Sequence, residues 1–131
     1  MSINPRPSSP SVLIVEDEKL VIWSLAKSLR KAGFSVTAVQ CGEHALQELS
    51  SRSYDAVITD MDLPRINGLQ VAEKAKSLYP SLPVILMSAS AISISESDRK
   101  QKPYDYFIEK PFDLKEVISL VESCAVRDKT D

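Results

Sequence analysis

Five residues whose side chains can do chemistry together occupy equivalent places in this sequence: Glu16 and Asp17, Asp60, Ser88 and Lys110 each stand at the end of a short, mainly apolar run. Three carboxylates gathered within a few ångström repel one another by roughly 4 kcal/mol per close pair at an effective dielectric of about 20, so a cation must offset them. Hard oxygen ligands that leave several coordination positions open suit magnesium, completed by water and a phosphate oxygen. The Met61 main-chain carbonyl, in the loop after Asp60, is a further candidate ligand, and Lys110 supplies a second positive charge. A carboxylate between magnesium and a lysine is a nucleophile toward phosphorus, because both cations neutralise charge on the transferred group while an aspartyl phosphate forms. Asp60 stands between the acid pair and the lysine and is the expected acceptor. Ser88 is the expected hydroxyl donor to the new phosphate. Any one acid at a strand end can be a mere helix cap, but five complementary groups at successive ends favour a site.

The elements that must position these groups alternate regularly. Val12-Leu13-Ile14-Val15 is a continuous apolar and β-branched run, as expected for a strand buried on both faces of a parallel sheet. From Lys19 to Ala32 the residues Val21, Leu25, Leu29 and Ala32 recur at helical spacing, and Gly33 stops the helix. A strand over Phe34–Val39 and a short helix over Glu43–Ser50, with Ala45, Leu46 and Leu49 inward, repeat the pattern. Ala56–Thr59 is a third strand ending at Asp60. After the loop Met61–Asn67, Gly68 opens a helix with Leu69, Ala72, Ala75 and Tyr79 on one stripe. Val84–Met87 is a fourth strand ending at Ser88, and Tyr106–Glu109 a fifth leading into Lys110-Pro111. The stretch from Ile92 to Lys102 takes the place of a helix with little periodicity. Asp113 and Glu116 form a capping-box pattern for a last helix through Cys124, with Leu114, Val117, Ile118 and Val121 inward. Five strand and helix repeats predict right-handed crossovers and a parallel sheet covered on both faces. Ligands of such sheets bind beyond the carboxyl ends of the strands, where the five residues stand.

With 131 residues, 44% hydrophobic and 26% charged, the chain has the size and balance of one folded domain. Residues 1–11, with three prolines and interspersed serines, read as a loose tail; 12–125 form the domain and 126–131 a second tail. The net charge of −2 offers no field for nucleic acid or an anionic membrane, and no apolar run is long enough to span one. Cys41 and Cys124 lie in no metal spacing and read as buried thiols of a cytoplasmic protein. His44, the sole histidine, is expected on the polar face of its helix.

Taken together, Val12-Leu13-Ile14-Val15-Glu16-Asp17-Glu18, Ile58-Thr59-Asp60-Met61-Asp62-Leu63-Pro64 with Asn67-Gly68-Leu69, Met87-Ser88-Ala89 and Lys110-Pro111-Phe112 resemble the response regulator receiver domain of bacterial two-component signalling, over about Val12–Cys124. The resemblance implies an α/β, flavodoxin-like three-layer sandwich with a five-stranded parallel sheet of order 2-1-3-4-5 and five helices. It implies Asp60 as phosphoacceptor, Asp17 as direct magnesium ligand and Glu16 as a ligand through water. Ser88 is then the switch hydroxyl, Lys110 the phosphate partner, Phe107 the switch ring without a hydroxyl, and Lys110-Pro111 a cis bond. The implied partners are a sensor histidine kinase or phosphotransfer protein. The face made by the Ile92–Lys102 segment, the fifth strand and the last helix would carry output or a homodimer contact. Leu20-Val21-Ile22-Trp23 looks like receivers attached to enhancer-binding transcription activators, whether this is a single-domain regulator or part of a longer chain.

Asp62 and Ser90, two residues beyond Asp60 and Ser88, read as modulators of phosphoryl lifetime. Leu20 and Trp23, opposite the buried stripe and beside Lys27 and Arg30, read as a kinase-docking anchor, against the alternative that Trp23 folds over the core. Two competing functions exist. Asp60-Met61-Asp62 matches the D-x-D of haloacid dehalogenase-like phosphatases, although that motif follows a first strand and needs a cap over the substrate. An interaction module of the same fold that is never phosphorylated would not need the full acid, hydroxyl and lysine set.

Overall fold

The computed structural model describes residues 9–89 and 102–125. Five strands, β1 (Ser11–Val15), β2 (Ser35–Val39), β3 (Ala56–Asp60), β4 (Val84–Ser88) and β5 (Tyr106–Glu109), form one parallel sheet of order β2-β1-β3-β4-β5. The helices among the described residues are α1 (Lys19–Lys31), α2 (Gly42–Ser51), α3 (Gly68–Leu78) and α4 (Leu114–Cys124). The expected helix over Ile92–Lys102, and Ser90 before it, lie outside the described residues but for Lys102.

The period of two along each central strand sorts the core into two layers. Leu13, Val15, Val57 and Leu86 point to one face, where they meet Ala45 and Leu49 of α2 and Val71, Ala72 and Ala75 of α3. Val12, Ile14, Ile58, Ile85 and Met87 point to the other, against Leu25 and Leu29 of α1 and Val117 and Val121 of α4. All of these residues are fully buried. At roughly 1.5–3 kcal/mol for each large apolar side chain removed from water, these layers are the main force holding the strand ends in place.

Several expectations are corrected at the edges. The proline-rich tail is shorter than composition predicts, because Ser11 pairs in β1 with Ser35 and its N–H donates to Asp55 Oδ2 at 2.7 Å. Residues 1–8 and 126–131 lie outside the described residues. Ala32 is exposed, since α1 ends at Lys31, and Ala26 takes its place in the buried stripe. The glycine stop holds: Gly33 adopts φ 102°, where side chains are strained. Asp113 does cap α4, accepting from the Lys115 N–H, but the reciprocal capping box forms at Asn67 and Gln70 of α3. Cys41 and Cys124 are free and half-buried rather than buried. His44 is exposed on α2, as expected.

Candidate active site

Backbone bonds carry the sheet one step past its strands beside the candidate groups. Glu16 N–H donates to Val39 O at 3.1 Å, Met61 N–H to Met87 O at 2.7 Å, and Lys110 N–H to Ser88 O at 2.8 Å. The strands run parallel, so the side chains at these ends share one edge. The Lys110-Pro111 peptide bond is cis.

The structure brings the predicted residues together. Oxygens of Glu16, Asp17 and Asp60 lie within 4.8 Å of one another. Glu16 and Asp60 are buried, while Asp17 is exposed at the mouth. Lys110 Nζ sits among the acids, 2.9 Å from Glu16 Oε1, 3.4 Å from Asp60 Oδ2 and 3.7 Å from Glu18 Oε1. Burial raises the Glu16 carboxyl above the usual carboxylate range, with its Lys110 hydrogen bond opposing. Burial likewise raises Asp60, opposed by the Asp62 N–H and by Lys110. Burial disfavours the Lys110 ammonium too, but the hydrogen bond to Glu16 and the charge of Asp60 outweigh it and hold the lysine above its ordinary value. An acid trio that one lysine only partly neutralises is a donor set of hard oxygens suited to a divalent cation. Thermal melting in magnesium at ten times its dissociation constant is therefore expected to gain about 1.4 kcal/mol, roughly 5 °C for a domain of this size. An Asp17→Ala variant that keeps the full gain would remove Asp17 from the ligand set.

The Met61 carbonyl, the further candidate ligand, is hydrogen-bonded within its own loop. It accepts from both Leu63 N–H and Gly68 N–H at 3.0 Å, so both lone pairs are engaged there. Asp62 lies beside the site as expected: its N–H donates to Asp60 Oδ1 at 3.2 Å, and its Oδ2 accepts from the Ser88 hydroxyl at 3.2 Å. Phe107 packs against the α2 and α3 layer, its ring centroid 6.4 Å from that of Tyr104.

Two contributors escape the sequence reading. Glu18 stands at the N-cap position of α1 without a capping side-chain bond and instead adds a third carboxylate to the lysine's surroundings, a role signalled only by its place after Glu16-Asp17. Gly68 packs directly under Asp60: a Cβ there would lie 2.3 Å from the Asp60 carbonyl oxygen. The loop between them is fastened to α2 through Arg65, whose φ is 64° and whose Nε meets Glu43 Oε2 at 2.6 Å.

Residues 12–122 match the family model of the response regulator receiver domain, and the chain belongs to that family. It is 35% identical over 112 residues to the DNA-binding transcriptional regulator NtrC of Escherichia coli, covering 85% of this chain and 24% of NtrC. The chain thus spans about a quarter of that regulator's length. Among solved structures, a receiver protein from Sinorhizobium medicae matches with a TM-score of 0.80 at 29% identity, covering 92% of this chain and 97% of that one. TrrA of Thermotoga maritima, crystallised with magnesium and beryllofluoride, matches with a TM-score of 0.78 at 29% identity, covering 88% and 98%. These matches favour a two-component signalling domain over the dehalogenase-like reading of Asp60-Met61-Asp62. Among the described residues no helix is long and apolar enough to cross a membrane.

Proposed function

We propose that this domain accepts a phosphoryl group onto Asp60 from the phosphohistidine of a sensor histidine kinase or phosphotransfer protein, in a magnesium-dependent cytoplasmic reaction. It then signals by reshaping the face that includes Phe107, β5 and α4 toward a partner or output domain. The observation that carries this reading is a buried Asp60 carboxylate that lies beside the Glu16-Asp17 pair and within 3.4 Å of Lys110 Nζ. TrrA, with magnesium and beryllofluoride bound, supports the same chemistry here.

In the transfer, an Asp60 carboxylate oxygen forms the new bond to phosphorus as the bond from phosphorus to the histidine nitrogen breaks. The nitrogen keeps that electron pair and takes up a proton from water. The Asp62 N–H orients Asp60 through Oδ1. Lys110 turns from the carboxylates to the phosphoryl oxygens, where its fixed charge acts most strongly in a water-poor pocket. Asp17 and Asp60, with Glu16 through water, would hold magnesium, which supplies further positive charge against the phosphoryl oxygens. Ser88 then donates to a phosphoryl oxygen, and the Phe107 ring shifts into the space it leaves.

Intact mass after treatment with acetyl phosphate and magnesium tests the reading. One added phosphoryl group, labile to hydroxylamine as an acyl phosphate is, supports it, and an unchanged mass in fully folded protein overturns it.

Kinase docking on α1 follows from the same reading. Leu20 and Trp23 are 81% and 60% exposed, so Trp23 does not fold down to complete the core. Lys27 Nζ lies 4.7 Å from the indole centroid, and Arg30 is exposed nearby, giving an aromatic anchor with a basic rim. Trp23→Ala is expected to slow phosphotransfer from the cognate kinase about tenfold, the effect of a contact worth about 1.4 kcal/mol. Reaction with acetyl phosphate is expected to stay unchanged, with a stability loss below about 1 kcal/mol. Equal slowing with both donors would remove Trp23 from the docking surface.

A further inference from the structure

The hydroxyl that must meet the phosphoryl group already has an acceptor. Ser88 Oγ donates to Asp62 Oδ2 at 3.2 Å, while Asp62 N–H holds Asp60 Oδ1 at 3.2 Å. One residue therefore grips both the acceptor carboxylate and the buried serine on the neighbouring strand. A serine hydroxyl carries a single hydrogen, so its donation to Asp62 and its donation to a phosphoryl oxygen exclude each other. Charge acts in the same direction. Phosphorylation turns the singly charged Asp60 carboxylate into an acyl phosphate carrying close to two negative charges, spread over oxygens that reach toward Ser88 and Asp62. Once Ser88 turns away, the Asp62 carboxylate loses its donor and faces that charge. The same side chain thus favours the resting arrangement and opposes the phosphorylated one. Asp62 itself is exposed and belongs to neither core layer.

We propose that Asp62 is a latch on Ser88: a positioning residue that competes with the phosphoryl group for the serine hydroxyl and so sets how completely phosphorylation engages the switch. The latch rests on the reading of Asp60 as phosphoacceptor. It goes beyond a general influence on phosphoryl lifetime, because it works through one named hydrogen bond and must vanish with that bond.

A double-mutant cycle on the intact chain tests it, with the affinity of the magnesium and beryllofluoride adduct, titrated calorimetrically, as the readout. Asp62→Ala is expected to tighten the adduct about three- to tenfold, the range set by freeing a charge-assisted hydrogen bond. Asp62→Asn, which keeps an acceptor oxygen and loses the charge, is expected to fall between wild type and Asp62→Ala. In a Ser88→Ala background, the effect of Asp62→Ala is expected to shrink to less than half of its wild-type value on the logarithmic scale. Circular dichroism of all five proteins shows whether each is folded, and the exposure of residue 62 keeps substitutions there out of the core. Equal effects of Asp62→Ala in the two backgrounds would mean that Asp62 acts by charge alone, and the latch fails. No tightening in Asp62→Ala also overturns it. Wild type that binds no beryllofluoride overturns the phosphoacceptor reading and the latch with it, whereas binding with an additive cycle removes the latch only.

Discussion

Asp60→Asn is expected to take up no phosphoryl group from either a kinase or acetyl phosphate while remaining folded. The amide has the size of the carboxylate, so packing between β1 and β4 is kept, but its nitrogen and carbonyl oxygen cannot form a stable acyl phosphate. Stability separates this outcome from simple misfolding. Burial holds the Asp60 carboxyl above the usual range, which means the ionised form is disfavoured in the folded protein. Asn removes that ionised group along with its repulsion of Glu16, and it loses the Lys110 contact. These effects oppose each other, so without magnesium the variant is expected to lie within about 1 kcal/mol of wild type. Its magnesium-induced rise in melting temperature is expected to shrink, because one of three carboxylates is gone. An adduct in Asp60→Asn formed at the wild-type rate would move the acceptor to another residue, and peptide mapping would find it.

Gly68→Ala is expected to be the most damaging single methyl group in the site. A Cβ at this position would meet the Asp60 carbonyl oxygen at 2.3 Å, Met61 Cα at 2.7 Å and the Asp60 carbonyl carbon at 2.8 Å. All three are backbone atoms of the strand end that carries Asp60, so no side chain can swing aside. Alanine is a better helix former than glycine by about 1 kcal/mol in a helix interior, which would favour the substitution if propensity decided. The clash outweighs it. A net loss of roughly 3 kcal/mol, read as a lower urea midpoint, is the expected result. The shift also displaces Asp60 from Lys110, so phosphorylation in the surviving folded protein is expected to slow. A loss below 1 kcal/mol with full activity would show that α3 can pivot away from β3 at little cost.

How much of this was legible in advance follows from the distances over which each feature is encoded. Buried parallel strands read as short, mainly apolar runs, and the charged or hydroxyl residues where each run gives out mark its end; that makes Glu16, Asp60, Ser88 and Lys110 visible as neighbours. The fold and its strand order came from the same runs together with the resemblance of the motifs. Main-chain direction was not legible. The Met61 carbonyl turns into the loop because Gly68 N–H and Leu63 N–H converge on it, and nothing in the identity of methionine encodes that. The bond between Ser88 and Asp62 joins residues 26 apart in the chain on adjoining strand ends, so only the folded sheet creates it. By contrast, the Asn67 and Gln70 capping box is local, with both of its partners within four consecutive residues, and so is encoded in the sequence itself. Ala32 lies outside the core because α1 ends at Lys31, one residue short of where an idealised stripe would need the helix to reach.

The two apolar layers give the sheet the character of a partition. Leu20 and Trp23 project from α1, which rests on the layer shared with α4, whereas Phe107 packs into the layer of α2 and α3 on the far side. The exposed pair and the ring therefore lie on opposite sides of the same wall, while α4 stands on the side of α1. On the proposed reading, a protein seated on Leu20 and Trp23 leaves the surroundings of Phe107 uncovered, and α4 is the element of the signalling face that adjoins it.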